Sequence, residues 1–296
     1  MELDGVEIED TFAEAFPIKV TRALITAVNE RWALEAAKEA TGFATSVIAC
    51  PCEAGIDTLL SSEETPDGRP GVAIMICHFK KEGVKEQLLL RSAECVLTAP
   101  TAAMFNGLEA EEKLPIKLHF FGDGYEHEIE VGGRKVWAIP IMGGEFVCEE
   151  EYGVKSGVAG GNFFIFAKEQ MAALTAAENA VAAIQHVEGT ITPFPAGVVS
   201  SGSKVGSKKY KFMHATTNER FCPTLRAKVE DSAIPEGVNA VYEIVINGLN
   251  EEAVKHAMHA GIKAAVKVPG VVKITAGNFG GKLGKYQFRL KEILEL

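Results

Sequence analysis

The sequence has no apolar run approaching the ~18 residues of a membrane-spanning helix, so no span is expected. Its start, MELDGVEIED, is acidic and lacks the basic stretch and apolar run of a secretory signal, which points to a cytoplasmic protein. Basic residues are few: 30 lysines and arginines face 40 aspartates and glutamates, a formal net charge of −10. That balance argues against non-specific binding to nucleic acid or bilayers. Cysteine is sparse and scattered, with Cys50, Cys77, Cys95 and Cys148 in or beside apolar stretches and Cys52 and Cys222 elsewhere. This reads as buried reduced thiols rather than a disulfide framework. Cys50-Pro51-Cys52 lacks the second pair that a zinc site wants, and His256 and His259 have no thiol or acid arranged with them, so no metal is expected. A Ser-His-Asp spacing, a nucleophile elbow and a G-x-G-x-x-G helix start are all missing. An enzyme on this chain would work by direct transfer between two bound substrates rather than through a covalent or metal intermediate.

What is present is organisation. The chain has 296 residues, 47% of them hydrophobic, enough for two globular domains. NERWALEAAKEAT (29–41) reads as a helix, followed by SVIAC as a strand. KEQMAALTAAENAVAAIQH (168–186) reads as a second such helix, followed by GTITPFPAGVV. A second pairing runs from Gly71 and from Gly237. Each begins with a strand (Val72–Cys77; Ala240–Ile246), enters an amphipathic helix, and returns through a strand (Val96–Leu97; Val271–Thr275). Asn250 caps the later helix, with Glu251 and Glu252 in its first turn. Strand–helix–strand units repeated in this way predict an α+β chain of two ferredoxin-like, split β-α-β lobes related by an internal pseudo-repeat. The expected domains are 1–150 and 151–296.

Glycine clusters in AGGNFF (159–164) and TAGNFGG (275–281), the latter running on into Gly281-Lys282. A phosphate loop is excluded there, because Ala276 stands where the first glycine belongs, Leu283 follows the lysine, and KYQFRLKEI alternates like a strand. Glycine beside a strand marks a bulge or a close backbone approach, either to a ligand or to a neighbouring strand.

Glu243 in AVYEIVING is the leading candidate for chemistry. Alternation puts Tyr242, Ile244 and Ile246 on one face and Val241, Glu243, Val245 and Asn247 on the other. Either the carboxyl is buried, so that it neutralises or finds a partner, or the strand is an edge and the carboxyl faces water. A raised pKa would suit proton transfer near neutrality. SSGSKVGSKKYKF (200–212) gathers Lys204, Lys208, Lys209 and Lys211 among small hydroxyls, including Ser201 and Ser203. It is either a site for an anionic ligand or a solvated loop. In EETPDGRPG (63–71), Asp67 and Arg69 pair with each other, or Arg69 clamps a carboxylate. FFGDGYEHEIEVGGRKVW (120–137) reads as a strand and hairpin with Asp123 in a turn.

The phrases ETPDGRPG, CVLTAPTAAMFNG, GVAGGNFFIF, TPFPAGVVSSGSKVGSKKYKF, VYEIVINGLNEEAVK and PGVVKITAGNFGGKLGKY, with GVEIEDTFAEAFPIK near the start, resemble the formylmethanofuran–tetrahydromethanopterin formyltransferase family over the whole chain. SVIACPCEAGI departs from the archaeal pattern at Ala49 and Cys52, where Met and Ala are expected. The resemblance implies a formyl transfer from formylmethanofuran to N5 of tetrahydromethanopterin, with both coenzymes as substrates and no permanent cofactor or metal. It implies a distal N-terminal and a proximal C-terminal lobe, and assembly into homodimers or homotetramers with the cleft where subunits meet. The family's proton-transferring glutamate matches Glu243. The anionic substrates give Lys204 and Lys208 a purpose, with Ser201, Ser203 and Arg69 as further contacts, and Asn247 or Asn278 as donors to the oxyanion. The other expectation is a scaffold subunit of a formyltransferase/hydrolase complex without independent activity.

Overall fold

The computed structural model describes residues 1–295. In chain order the elements are β1 (Glu2–Leu3), β2 (Val6–Ile8), β3 (Phe12–Thr26), α1 (Glu30–Thr41), β4 (Glu53–Leu60), β5 (Gly71–His78), α2 (Lys81–Arg91), β6 (Ala103–Asn106), β7 (Glu112–Pro115), β8 (His127–Val131), β9 (Arg134–Ile141) and β10 (Gly144–Cys148). They continue with β11 (Glu151–Ala167), α3 (Gln170–Ile184), β12 (Thr190–Ile191), β13 (Ser203–Val205), β14 (Ala215–Thr217), β15 (Ala240–Gly248), α4 (Glu251–Ala265), β16 (Val271–Thr275), β17 (Tyr286–Arg289) and α5 (Leu290–Leu294). The architecture is mixed α+β. No helix among the described residues is long and apolar enough to cross a membrane.

Two compact units result. One joins Met1–Pro17 to the chain from Val158 onward; the other is Ile18–Gly157. The first seventeen residues therefore go with the later half rather than with 1–150. The physical reason is strand pairing: β2 runs parallel beside β16, and Phe12–Ala15 of β3 pair antiparallel with β17.

In the later unit the neighbours run β16, β11, β15, β12, all pairs antiparallel. α3 and α4 cover one face. Ile244 and Ile246 of β15 and Phe163 and Ile165 of β11 point into that helix-covered core with Ala176, Ala180, Val254 and Met258. Alanines on α3 let the helix lie close to the sheet, while Asn250 caps α4 by accepting from Ala253 N–H at 2.8 Å. The other face is covered by 195–239, which has little regular structure. Ile234 and Val238 pack there on Phe164 and Phe166, with Phe221 and Val241 against them.

In the Ile18–Gly157 unit the neighbours run β6, β3, β5, β4, again antiparallel, with α1 and α2 connecting them. Asn29 caps α1 by accepting from Trp32 N–H at 3.1 Å. β8 and β9 form the expected hairpin, turning at Gly132 and Gly133, both at positive φ. Asp123 sits in the left-handed region (φ 53°) between a 3₁₀ turn and this hairpin.

Four expected strands are corrected. Ser46–Cys50 is a turn, with the Ser46 carbonyl accepting from Ala49 and Cys50 N–H; the strand starts at Glu53, past Pro51. Val96 belongs to a widened helical turn that continues α2, Leu97 N–H reaching the Ser92 carbonyl at 2.8 Å. GTITPFPAGVV keeps only Thr190–Ile191 as strand, since Pro193 and Pro195 cannot donate to a ladder. KYQFRLKEI is strand to Arg289 and helix thereafter.

Removing the cap of α4 tests how much that helix depends on it. Asn250→Ala is expected to cost about 1 kcal/mol and lower Tm by about 2 °C in a thermal scan.

Candidate active site

β15 presents Glu243 to the face away from the helices. On one side its cross-strand neighbour is Phe164 of β11. On the other, Val199 closes an isolated bridge, donating its N–H to the Glu243 carbonyl at 2.8 Å and accepting the Glu243 N–H at 3.0 Å. Phe164 is buried and stacks on Phe221, ring centroids 4.4 Å apart and nearly parallel. Three residues beyond Val199, Gly202 lies so close that a Cβ there would sit 3.7 Å from Oε2 of Glu243.

The carboxyl is therefore walled by a ring, a strand and a glycine. Burial pushes its pKa up to about 7, and no cation or hydrogen-bond donor among the described residues pulls it back. Its residue is nevertheless partly accessible. A carboxyl with this pKa gives and takes a proton near neutrality with little driving force either way, which is what a general acid–base needs.

The lysine-rich segment stands next to it. Ser201 and Ser203 are exposed on either side of Gly202. β13 and β14 form a short hairpin, and the Asn218 N–H donates to the Gly202 carbonyl at 3.0 Å. Lys204 donates to Thr216 Oγ1 and the Thr217 carbonyl, both at 3.1 Å, and to Glu219. Lys208 pairs with the same carboxylate at 2.8 Å while its side chain stays 77% exposed. Lys204, then Lys208, hold the Glu219 carboxyl down at about 2. Lys209 lies over the Tyr210 ring, 5.3 Å from its centroid. So Glu243, Ser201, Ser203, Lys204 and Lys208 come together in one unit.

The remaining predicted residues are placed differently. Asn247 is fully buried and accepts the Gly160 N–H at 3.1 Å, at the bulge in β11. Asn278 donates to Thr11 Oγ1 and the Phe12 carbonyl and accepts the Gly280 N–H. Both side chains organise backbone. Arg69 belongs to the other unit and pairs with Asp67 at 2.8 Å, donating also to Thr26 and to the Thr101 carbonyl. Sequence reasoning missed Val199, Gly202, Phe164 and Phe221. Only the serine–glycine run around Gly202 carried a signal, because flanking small residues mark close approach.

A desolvated carboxyl beside an accessible serine–lysine segment has the chemistry that acid–base group transfer uses. Comparison with known proteins gives the particular family. Residues 1–141 match the profile described as formylmethanofuran-tetrahydromethanopterin formyltransferase, and 144–293 match the profile of that family's proximal lobe. The formylmethanofuran–tetrahydromethanopterin formyltransferase of Methanosarcina barkeri is 66% identical over 99% of this chain and all of its own. That of Methanocaldococcus jannaschii is 62% identical over the full length of both. Among solved structures, the Methanosarcina barkeri formyltransferase superposes with a TM-score of 0.97 over 99% of this chain and all of that one. A chain of the formyltransferase/hydrolase complex of Methylorubrum extorquens, solved with methylofuran, is 43% identical with a TM-score of 0.94, over 99% of this chain and 98% of that one. The chain belongs to the formylmethanofuran–tetrahydromethanopterin formyltransferase family.

The raised pKa has a consequence for stability, with a definite sign. Between about 4.5 and about 7 the folded protein keeps a proton on Glu243 that the unfolded chain releases. This contribution is fully present below 4.5 and is lost as pH rises through 7. Glu243→Gln should therefore become more stable relative to the parent across that window, by roughly 3 kcal/mol at most. Denaturant melts of both proteins at several pH values would check this; a constant difference would contradict it.

Proposed function

We infer that the protein is a formyltransferase that moves a formyl group between formylmethanofuran and N5 of tetrahydromethanopterin in archaeal-type one-carbon metabolism. The observation that carries the chemical part of this reading is the desolvated Glu243 carboxyl beside Gly202. Family membership over the whole chain supplies the substrates.

In the proposed mechanism the pterin amine attacks the formyl carbon and a tetrahedral intermediate forms. The attacking nitrogen must lose a proton and the leaving furan-side amine must gain one. Glu243 takes the first as carboxylate and delivers the second as acid, returning to its starting state. The larger share of the rate comes from holding two reactants against each other. Lys208, exposed and tethered only through Glu219, meets anionic groups of the coenzymes, while Lys204 holds the hairpin in place. Ser201 and Ser203 offer hydroxyls to the same substrates. The engagement of Asn247, Asn278 and Arg69 with backbone groups of Gly160, Phe12 and Thr101 assigns them to shaping the protein in this reading.

Each unit is further read as a ferredoxin-like lobe of one ancestral pattern. The order β16, β11, β15, β12 repeats as β6, β3, β5, β4, with a helix after the first and third strands of each set in chain order. The protein acts in the cytoplasm as a homodimer or homotetramer, holding no permanent cofactor.

Mixing the purified protein with the two coenzymes and following formyl-pterin by absorbance tests the assignment. Turnover is expected with the parent, and Glu243→Gln should lose about a hundredfold or more while retaining its fold. Near-parental turnover in that variant would remove Glu243 from the mechanism.

A further inference from the structure

The glycine-rich stretch after β16 holds an anion, and the anion is the protein's own. Phe279 and Gly281 donate their N–H groups to one carboxylate oxygen of Glu14 at 2.7 and 2.8 Å. Leu283 and Gly284 donate to the other at 2.6 and 2.5 Å. Glu14 is 2% exposed. Successive backbone N–H groups turned onto one point make the concavity by which loops bind phosphates and other anions. Here burial alone would raise the Glu14 pKa, but the four amides outweigh it and lower it. The carboxylate stays charged inside the protein and fills the cradle itself.

The loop needs its glycines for this contact. Gly281 has φ +72°, and a Cβ on Gly284 would come within 2.6 Å of the Ala15 carbonyl and of Cγ of Glu14. Of the two approaches expected of these glycines, to a ligand or to a neighbouring strand, Gly284 makes the second.

The loop is tied to the Glu243 site at its first residue. The Gly277 carbonyl accepts the Glu14 backbone N–H at 3.1 Å and Nδ2 of Asn162 at 3.2 Å. The Gly277 N–H donates to Oδ1 of Asn162 at 2.6 Å. Gly277 also lies against Phe164: a Cβ there would be 3.1 Å from Cε2 of the ring. Phe164 is the cross-strand neighbour of Glu243 and stacks on Phe221.

We propose that Glu14 is a positioning residue for the Glu243 site: its carboxylate sets the course of residues 277–284, and through Gly277 that course fixes the Phe164 ring beside Glu243. The proposal rests on the reading that Glu243 carries the proton. Side chain and backbone of Glu14 act together, one holding the far end of the loop and the other its start. Substrate is not touched by either.

Glu14→Gln tests this, because the amide keeps the volume but turns an NH₂ group onto donors that need an acceptor. Hydrogen exchange at the Phe279, Gly281, Leu283 and Gly284 amides should speed up by about tenfold or more. The pH–rate limb near 7 should move to lower pH by about one unit, because a loosened Phe164 lets water reach Glu243. Unchanged exchange would overturn the proposal. So would a rate that falls equally at every pH with the limb in place, since that is the mark of a merely structural residue. Glu243→Gln run in parallel separates the two claims: if it leaves the limb intact the assignment of Glu243 fails, and the exchange data still judge the Glu14 clamp. Should Glu14→Gln not fold, Gly277→Ala pushes on the same ring and must move the same limb; an unmoved limb there also overturns the proposal.

Discussion

Side chains along β15 alternate between two surroundings, and Glu243 falls on the side where water is scarce but not absent. Its neighbours on that face are a stacked phenylalanine, a bridging valine and a glycine, none of which offers its carboxyl a hydrogen bond or a charge. Desolvation acts unopposed, so the carboxyl titrates near neutrality. The opposite face of the same strand is packed under α3 and α4, and that packing fixes the register. A slip of one residue would bury the glutamate under the helices and turn Ile244 toward the face that Glu243 now occupies.

Three carboxylates in this unit show how surroundings alone divide labour. Glu14 meets four backbone N–H groups and is held charged. Glu219 meets two lysines and is held charged even more firmly. The Glu243 carboxyl meets no donor among the described residues and is poised to change state. The first two shape loops that lead to residues near the third: Glu219 ties the β13–β14 hairpin, which follows Gly202, and Glu14 ties the stretch that begins at Gly277. Two of these carboxylates keep a fixed charge and order backbone, while the third is left to titrate near neutrality.

The elements of this arrangement were unevenly legible in the sequence. Period-two alternation placed Glu243 opposite Ile244 and Ile246, and the Asn250 cap was visible because capping is local chemistry. The alanine-rich α3 was equally plain. The pKa of Glu243 was open between two outcomes because it depends on Val199, Gly202 and Phe164, which arrive from distant parts of the chain. The same limit applied to the glycine stretch. Its composition announced a tight backbone approach, but the partner, Glu14, lies some 265 positions earlier in the chain. Nothing in a window around 277–284 points to it. Strands were misjudged at Ser46–Cys50 and Val96–Leu97, where short apolar runs fit a turn or a widened helix as well as a strand. The placement of Met1–Pro17 with the later half is likewise a matter of pairing across the chain.

In the proposed reading the family relationship supplies the substrates, and a carboxyl that titrates near neutrality lets one glutamate serve both halves of a formyl transfer. The most direct test is infrared difference spectroscopy of the resting protein, comparing carboxyl bands across pH 5 to 9 in the parent and in Glu243→Gln. The account predicts a protonated carboxyl band that disappears with a midpoint near 7 and is missing from the variant. A Glu243 carboxyl already ionised at pH 5, in the ordinary glutamate range, would contradict it.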